Sequence, residues 1–211
     1  MATLPDLSHE LRLIAAGTTP VAGVDEVGRG PLAGPVTAAA VVLDPDCIPD
    51  GLNDSKRLAP TRRRELARAL AHCAEISVAH ADVEEIESLN IYYAAHLAMC
   101  RAVSGLPRRA RHVLIDGNRV PQRIGCPADA VVGGDALCLS IAAASIVAKV
   151  ARDAIMAELA LDCPGFGWEH NAGYPTPEHV AALERLGPTR HHRRTFRPVH
   201  NILYAKAAVS A

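Results

Sequence analysis

Asp25 and Glu26 stand side by side in the stretch Val24-Asp25-Glu26-Val27-Gly28-Arg29-Gly30. They follow the apolar run Val21-Ala22-Gly23-Val24, where a buried strand would give way to a Gly-rich turn. Two adjacent carboxylates at the edge of a core are costly to bury unless a cation or a strong donor set neutralises them. In Gly28-Arg29-Gly30 one guanidinium stands between two residues without side chains, so a backbone can come close while the Arg reaches an anion. Carboxylates that hold a cation, beside amides and an Arg that meet a phosphate, point to metal-assisted work on phosphate esters. Asp116 closes the run His112-Val113-Leu114-Ile115 and so sits at a strand's C-terminal end, where ligands collect in open α/β sheets. Asp135 falls at or near the start of an Ala-rich helix read over 139–149, whose field favours an ionised carboxylate. Asp153 is a competitor, but it lies 18 residues further on, roughly 27 Å at 1.5 Å per residue. The two cannot serve one site.

These residues need a scaffold, and the patterning supplies one. A short helix over 11–16 ends at Thr18-Thr19-Pro20, and the strand carrying Asp25 follows. Regular strands alternate faces, so Asp25 and Glu26 cannot both look at one metal pair unless a bulge or the strand's end intervenes there; that is the expectation. The run 36–43 reads as a second strand, giving a hairpin-like start. A polar loop over 52–58 precedes an amphipathic helix over 61–72 with Leu66, Leu70 and Cys73 on one face. Residues 76–80 alternate like a third strand, and 83–103 read as one long helix with Ile86, Leu89, Tyr93, Leu97 and Cys100 as its apolar stripe. After the strands at 112–116 and 130–134 and the Ala-rich helix, Thr176 and Pro177 mark the start of a short helix. The basic stretch Arg190-His191-His192-Arg193-Arg194-Thr195-Phe196-Arg197 is a candidate for duplex backbone contact, or else a solvated tail.

With 211 residues, 49% of them hydrophobic, the chain has the size and content for one large core. Charge is nearly balanced, 22 Lys and Arg against 23 Asp and Glu, so any nucleic-acid footprint must be local. The cysteines at 47, 73, 100, 126, 138 and 163 form no C-x-x-C pair, which argues against a zinc knuckle and suggests reduced, mostly buried thiols in a cytoplasmic protein. The start of the chain lacks a basic segment followed by an apolar one, and no run reaches the ~18 apolar residues of a membrane span. No membrane partner is expected, and monomer is the default.

The ordered blocks V-D-E-V-G-R-G-P-L-A-G-P-V from Val24, N-D-S-K-R-L from Asn53, L-I-D-G-N from Leu114, Gly134-Asp135, S-I-A-A-A-S-I-V-A-K-V-A-R-D from Ser140 and G-Y-P-T from Gly173 resemble the type 2 ribonuclease H family, its bacterial branch in particular. The resemblance covers about 21–199. It implies an α/β fold, a ribonuclease H-like mixed sheet flanked by helices with a C-terminal helical extension. It also implies a lead-in over 1–20, a catalytic core over 21–165 and a substrate-contacting extension over 166–211, in one compact unit. The implied activity is metal-dependent cleavage of the RNA strand of RNA/DNA hybrids and of single ribonucleotides embedded in duplex DNA. By that resemblance Asp25, Glu26, Asp116 and Asp135 are the catalytic carboxylates and hold Mg²⁺ or Mn²⁺. Gly28, Arg29 and Gly30 would meet the ribonucleotide and its 2′-hydroxyl, Lys56 would line the substrate cleft, and Tyr174 would pack on the sugar at the RNA/DNA junction. In one departure, the family commonly has Lys before the Gly-Asp of the fourth carboxylate, and this chain has Gly133. A sliding-clamp partner fits the family's setting, but no motif here marks one.

The chemistry read from the residues agrees. Phosphodiester hydrolysis needs an activated water, a neutralised phosphoryl group and a stabilised leaving oxygen, which two cations in a carboxylate cage can supply. Taken singly, each signal has a plainer reading: an Asp-Glu pair as a solvated turn, Asp116-Gly117-Asn118 as an ordinary turn, Arg29 as a surface ion pair, Tyr174 as cover for the core's edge. Two rival functions remain. Gly28-Arg29-Gly30-Pro31-Leu32-Ala33 matches a dinucleotide fingerprint, with Asp46 as the ribose partner, but Pro35 and the β-branched run after it do not make the required helix. A non-catalytic hybrid-binding protein would retain the cleft without the activity.

Overall fold

The computed structural model describes residues 4–209, with side chains described over 4–204. Their contacts divide into two compact units: residues 4–27, Thr37–His80 and Ala95–Ala151 in the first, and Gly28–Val36, Ala81–Ala94 and residues 152–209 in the second. The strands are β1 (Val21–Val27), β2 (Val36–Leu43), β3 (Ala74–Ala81), β4 (His112–Asp116) and β5 (Ala128–Val131). They form one sheet in the order β3-β2-β1-β4-β5. β1 runs antiparallel to β2 and parallel to β4, and β4 runs parallel to β5. With helices α1 (Ser8–Ala15), α2 (Pro60–Cys73), α3 (Val83–Ser104), α4 (Leu139–Asp162), α5 (Trp168–Asn171), α6 (Pro177–Leu186) and α7 (Arg197–Val209), this is the mixed sheet with flanking helices that the sequence implied.

In the first unit α4 lies unusually close to the sheet. Its Ala142, Ala143, Ala144 and Ala148 are fully buried and join Ile146 in a cluster with Ala39 and Val41 of β2 and Leu66 and Leu70 of α2. Small residues on a helix face shorten the distance at which it can pack. The closest approach is at Gly23 of β1, where an added Cβ would overlap the backbone of Ser140 and Ile141. α1 secures the same end of α4: Glu10 Oε1 accepts from Ser140 N at 2.9 Å and from Ser140 Oγ, so a buried carboxylate meets the helix's unpaired amides.

Three expectations need correction or narrowing. Of the two alternatives expected at the carboxylate pair, the bulge is absent, since the ladder between β1 and β2 runs one to one through Asp25↔Ala39, Glu26↔Ala38 and Val27↔Thr37, while pairing with β4 does end at Val24. The long helix is broken at Asn90, whose φ of 65° lies outside helical space. Asn90 Oδ1 then accepts from the amides of Tyr92 and Tyr93, restarting the helix in a new phase. The buried face of its later part is therefore Ala94, Ala95, Ala98, Met99 and Ala102, with Tyr93 exposed; before the break Ile86 is buried as expected and Leu89 is exposed. Finally, Cys47 and Cys73 are joined in a disulfide rather than both reduced. The end of α2 meets the turn after β2, where Asp44 N donates to Cys73 O, and this brings the two Cα atoms to 5.3 Å. Cys138 is a buried free thiol, and Cys100, Cys126 and Cys163 are half-buried ones.

The second unit has its own core, in which Leu32 and Ala33 pack with Met156, Phe166, Trp168, Ala182, Leu183 and Val199. α6 begins as its sequence predicts: Thr176 Oγ1 accepts from His179 N, and Pro177 occupies the first turn. Among the described residues no helix is long and apolar enough to cross a membrane.

Gly23→Ala should cost about 2–3 kcal/mol through overpacking against backbone, lowering the melting temperature by roughly 5–10 °C. Thermal denaturation checks this; a midpoint within a degree of wild type would mean that β1 and α4 are not in that close contact.

Candidate active site

β1 and β4 share their last parallel pair at Val24↔Ile115, and Asp25 and Asp116 are the next residue on each strand. Neighbouring positions in register point to the same side of a sheet, so these two carboxylates share the face that carries Gly23 and Leu114. That is the face against which Ile141 of α4 packs. The loop after β5 brings in Asp135 on the short 3₁₀ turn Gly134–Ala136, whose Gly134 O accepts from Cys138 N at the start of α4. Asp116 Oδ1 accepts from Gly134 N at 2.7 Å, which ties that turn to the end of β4. Glu26 is half-buried, and its charge is the strongest of those repelling Asp25, so the strand's regular alternation does not carry it clear of the site.

Asp25 is only 7% exposed. Burial first, then the carboxylates of Glu26, Asp116 and Asp135, raise its pKa well above the ordinary range, against a single lowering contact from Glu26 N at 2.7 Å. Asp135 is raised too, by burial and by Asp54 and Asp116. The nearby cation is Lys56, on the 3₁₀ turn Ser55–Arg57, with Nζ 3.5 Å from Asp135 Oδ2 and 3.8 Å from Asp54 Oδ1. Burial would lower its pKa, but Asp54, Asp135 and Asp25 together raise it. Among the described residues no three His, Cys, Asp or Glu side chains already converge as a metal cage. Backbone amides hold one oxygen of Asp25 and one of Asp116 instead. An all-oxygen donor set of mutually repelling, partly buried carboxylates fits a hard divalent cation, which would remove the repulsion.

In the second unit, Gly28 is buried while Arg29 and Gly30 are exposed. Tyr174 lies beside this turn, its ring 3.5 Å from where a Cβ on Gly30 would be. Its backbone is held by a buried network that the sequence did not reveal. His179 Nδ1 donates to Tyr174 O at 2.9 Å, so its Nε2 is the acceptor for Trp168 Nε1 at 3.0 Å. His192 Nε2 lies 3.1 Å from His179 Nε2, and His192 Nδ1 accepts from Thr189 N at 3.0 Å. Both imidazoles are fully buried. Burial, with repulsion from His179 and His191, lowers His192 to about 3.

The basic stretch 190–197 is therefore neither a tail nor a uniform contact surface. His192 and Arg193 are buried, while Arg190, Arg194 and Arg197 are exposed. Arg193 and Arg152 are the other unforeseen residues, both fully buried guanidiniums directed at carbonyls of the segment 28–35.

Residues 22–200 match the family model described as Ribonuclease HII. The chain belongs to the ribonuclease HII family. A Ribonuclease HII of Cereibacter sphaeroides is 62% identical over 208 residues, which cover 99% of this chain and 98% of that one. Among solved structures, ribonuclease H2 from Pyrococcus horikoshii OT3 superposes with a TM-score of 0.74 at 27% identity, over 88% of this chain and 97% of its own. Bst ribonuclease HIII, solved in complex with Mn²⁺, shares the fold at 18% identity with a TM-score of 0.65, over 88% of this chain and 69% of its own. The protein is thus a type 2 ribonuclease H, an endonuclease of a divalent-metal-dependent family that acts on RNA/DNA hybrids.

Two outcomes follow from these electrostatics. In EDTA, Asp25→Asn should melt at a higher temperature than wild type, by about 1 kcal/mol of stability, because a buried repelling charge is gone. The same variant should lose the melting shift that Mn²⁺ gives wild type; an unchanged apo midpoint would contradict the repulsion. For His192, the unfolded imidazole takes up a proton near its ordinary 6.5 and the folded one only near 3. Between those values the unfolded state binds more protons, so stability falls as pH drops, by up to about 1.4 kcal/mol per pH unit. Urea unfolding at pH 6 and pH 4 should show a shallower fall in His192→Gln than in wild type; equal slopes would mean the folded imidazole is not held neutral.

Proposed function

We propose that this ribonuclease cuts RNA/DNA hybrids and also cuts on the 5′ side of single ribonucleotides embedded in duplex DNA, leaving 3′-hydroxyl and 5′-phosphate ends, and so serves ribonucleotide removal from DNA. Mg²⁺ or Mn²⁺ would be held by Asp25, Glu26, Asp116 and Asp135. The observation that carries this reading is the placement of Asp25 and Asp116 one residue beyond the last shared pair of neighbouring parallel strands, on one face, with Asp135 close enough to repel Asp25. A divalent pair, when bound, supplies an activated water, a neutralised phosphoryl group and a stabilised leaving oxygen.

The chain's own groups then have separate tasks. Asp25 would anchor the cations, Glu26 and Asp116 would complete the set, and Asp135 would orient the side of the leaving group. Lys56, exposed and beside Asp135, offers its ammonium to a phosphate. Gly28, Arg29 and Gly30 meet the ribonucleotide, and backbone groups of that turn suit a 2′-hydroxyl, which both donates and accepts. Tyr174, 39% exposed, tests the adjoining sugar by shape. In this assignment residues 21–165 hydrolyse, residues 166–211 contact substrate, and the protein works as a cytoplasmic monomer. The dinucleotide alternative loses its support, since the residues after the glycine turn enter β2 and not a helix.

A labelled DNA duplex with one ribonucleotide, an all-DNA duplex and an EDTA sample test the reading together. Metal-dependent cutting 5′ of the ribonucleotide, absent from all-DNA, is the expected result. Asp116→Asn should lose more than the ~100-fold typical of outer-shell changes around a metal, while keeping a cooperative melt. Near-normal activity in that variant would sink the assignment, and binding without cutting by wild type would favour a non-catalytic hybrid binder.

A further inference from the structure

Arg193 is fully buried; its guanidinium lies over the Phe196 ring, 5.0 Å from the centroid, and donates to backbone carbonyls of one turn. Nη2 donates to Gly28 O at 2.7 Å, Nη1 to Arg29 O at 3.2 Å and Pro31 O at 2.8 Å, and Nε to Gly34 O at 3.0 Å. Its own amide donates to Leu32 O, and His191 O accepts from Gly34 N, so the segment on either side pairs with the same turn. Arg152, also fully buried, donates to Ala33 O and Pro35 O of the same segment and to Ala172 O. Only a planar fork with five N–H groups can satisfy four diverging carbonyls from one point; a lysine ammonium has three donors on a single atom.

A trans peptide puts its C=O and the following N–H on opposite sides. Drawing Gly28 O and Arg29 O onto the buried guanidinium therefore turns the amides of Arg29 and Gly30 away from it, and these are the two exposed residues of the turn, next to the Tyr174 ring. Successive backbone N–H groups turned outward make a concavity suited to an oxygen ligand. We infer that Arg193 is a specificity-positioning residue: by holding the carbonyls of Gly28 and Arg29 inward it presets the amides of Arg29 and Gly30 to receive the ribose 2′-hydroxyl. This rests on the ribonucleotide-recognition reading above and adds to it the group that fixes the turn.

The test compares wild type with Arg193→Lys in EDTA, measuring by fluorescence anisotropy the affinity for a DNA duplex with one ribonucleotide and for its all-DNA counterpart. Phosphate contacts are common to both duplexes and cancel in the ratio. Arg193→Lys keeps the charge, and its preference for the ribonucleotide should fall about 5–10-fold, the worth of about one hydrogen bond, with affinity for all-DNA nearly unchanged. A role in folding alone would lower the melting temperature without moving the ratio, and an unchanged ratio in a folded variant overturns the inference while leaving the reading of the turn intact. A wild type that does not prefer the ribonucleotide overturns both. Should Arg193→Lys fail to fold, amide relaxation of the wild-type protein decides: order parameters near ~0.85 at Arg29 and Gly30 support a preset turn, and values below ~0.6 overturn it.

Discussion

Because Gly23 has no side chain, the backbone of β1 can rest on the first turn of α4, and the height of everything that follows on β1 is set by that contact. Asp25 is two residues on and shares its face. Asp135 belongs to the turn whose Gly134 carbonyl joins the start of the same helix, and Asp116 is tied to that turn through Gly134 N. The three carboxylates thus depend on a single strand-to-helix distance. A larger residue at Gly23 would separate the donors contributed by the strand from the donor contributed through the helix. The alanines of α4 serve the same end by keeping the rest of the helix equally close.

Both units bury charge where apolar groups would be cheaper, and each does so beside residues assigned to the substrate. Asp25 is buried among like charges, so its environment becomes favourable only when a cation joins it. Arg193 is buried among carbonyl dipoles, with burial and the neighbouring Arg152 lowering it to about 9, so it stays protonated at neutral pH. The two arrangements differ in kind. The first leaves a deficit that, on the proposed assignment, an external ion would fill; the second is complete without a ligand and spends its donors on holding a turn in one shape. Catalytic carboxylates must respond to the metal, whereas a turn that tells ribose from deoxyribose gains by not responding at all.

What could be read in the sequence followed from periodicity and from strand ends. The runs 36–43 and 112–116 gave strands with their observed bounds, because continuous β-branched and apolar runs closed by Asp and Gly leave little choice. Asp25 and Asp116 came with them, since each ends or nearly ends a strand. Of the anticipated bulge or strand's end, the bulge is absent: β1 loses its pairing with β4 after Val24 while keeping it with β2, so Asp25 gains an open flank without any irregularity. The stripe on α3 held at Ile86 and weakened beyond the break, where one Asn in a left-handed conformation rephased the helix and left Tyr93 exposed and Leu97 and Cys100 half-buried, which spacing counts cannot register. Buried His179, His192, Arg152 and Arg193 were invisible for a different cause. Composition scales treat such residues as surface, and their burial depends on carbonyls and rings contributed by distant segments.

The glycine at 133, where the family commonly has lysine, can now be weighed by its surroundings. Its φ of 66° is left-handed, and no atom lies within 4 Å of where a Cβ would be. A lysine would have room there but would sit in a conformation costing about 1–2 kcal/mol. Glycine removes that strain and also removes an ammonium two residues before Asp135. Lys56 is left as the cation beside Asp135, and it divides its charge between Asp135 and Asp54 with its side chain 81% exposed. A pair so open to water contributes at most ~1 kcal/mol. In this chain the repulsion at Asp135 is therefore relieved only weakly by Lys56, and on the proposed assignment a cation held there would supply more of the neutralisation than it would beside a second lysine.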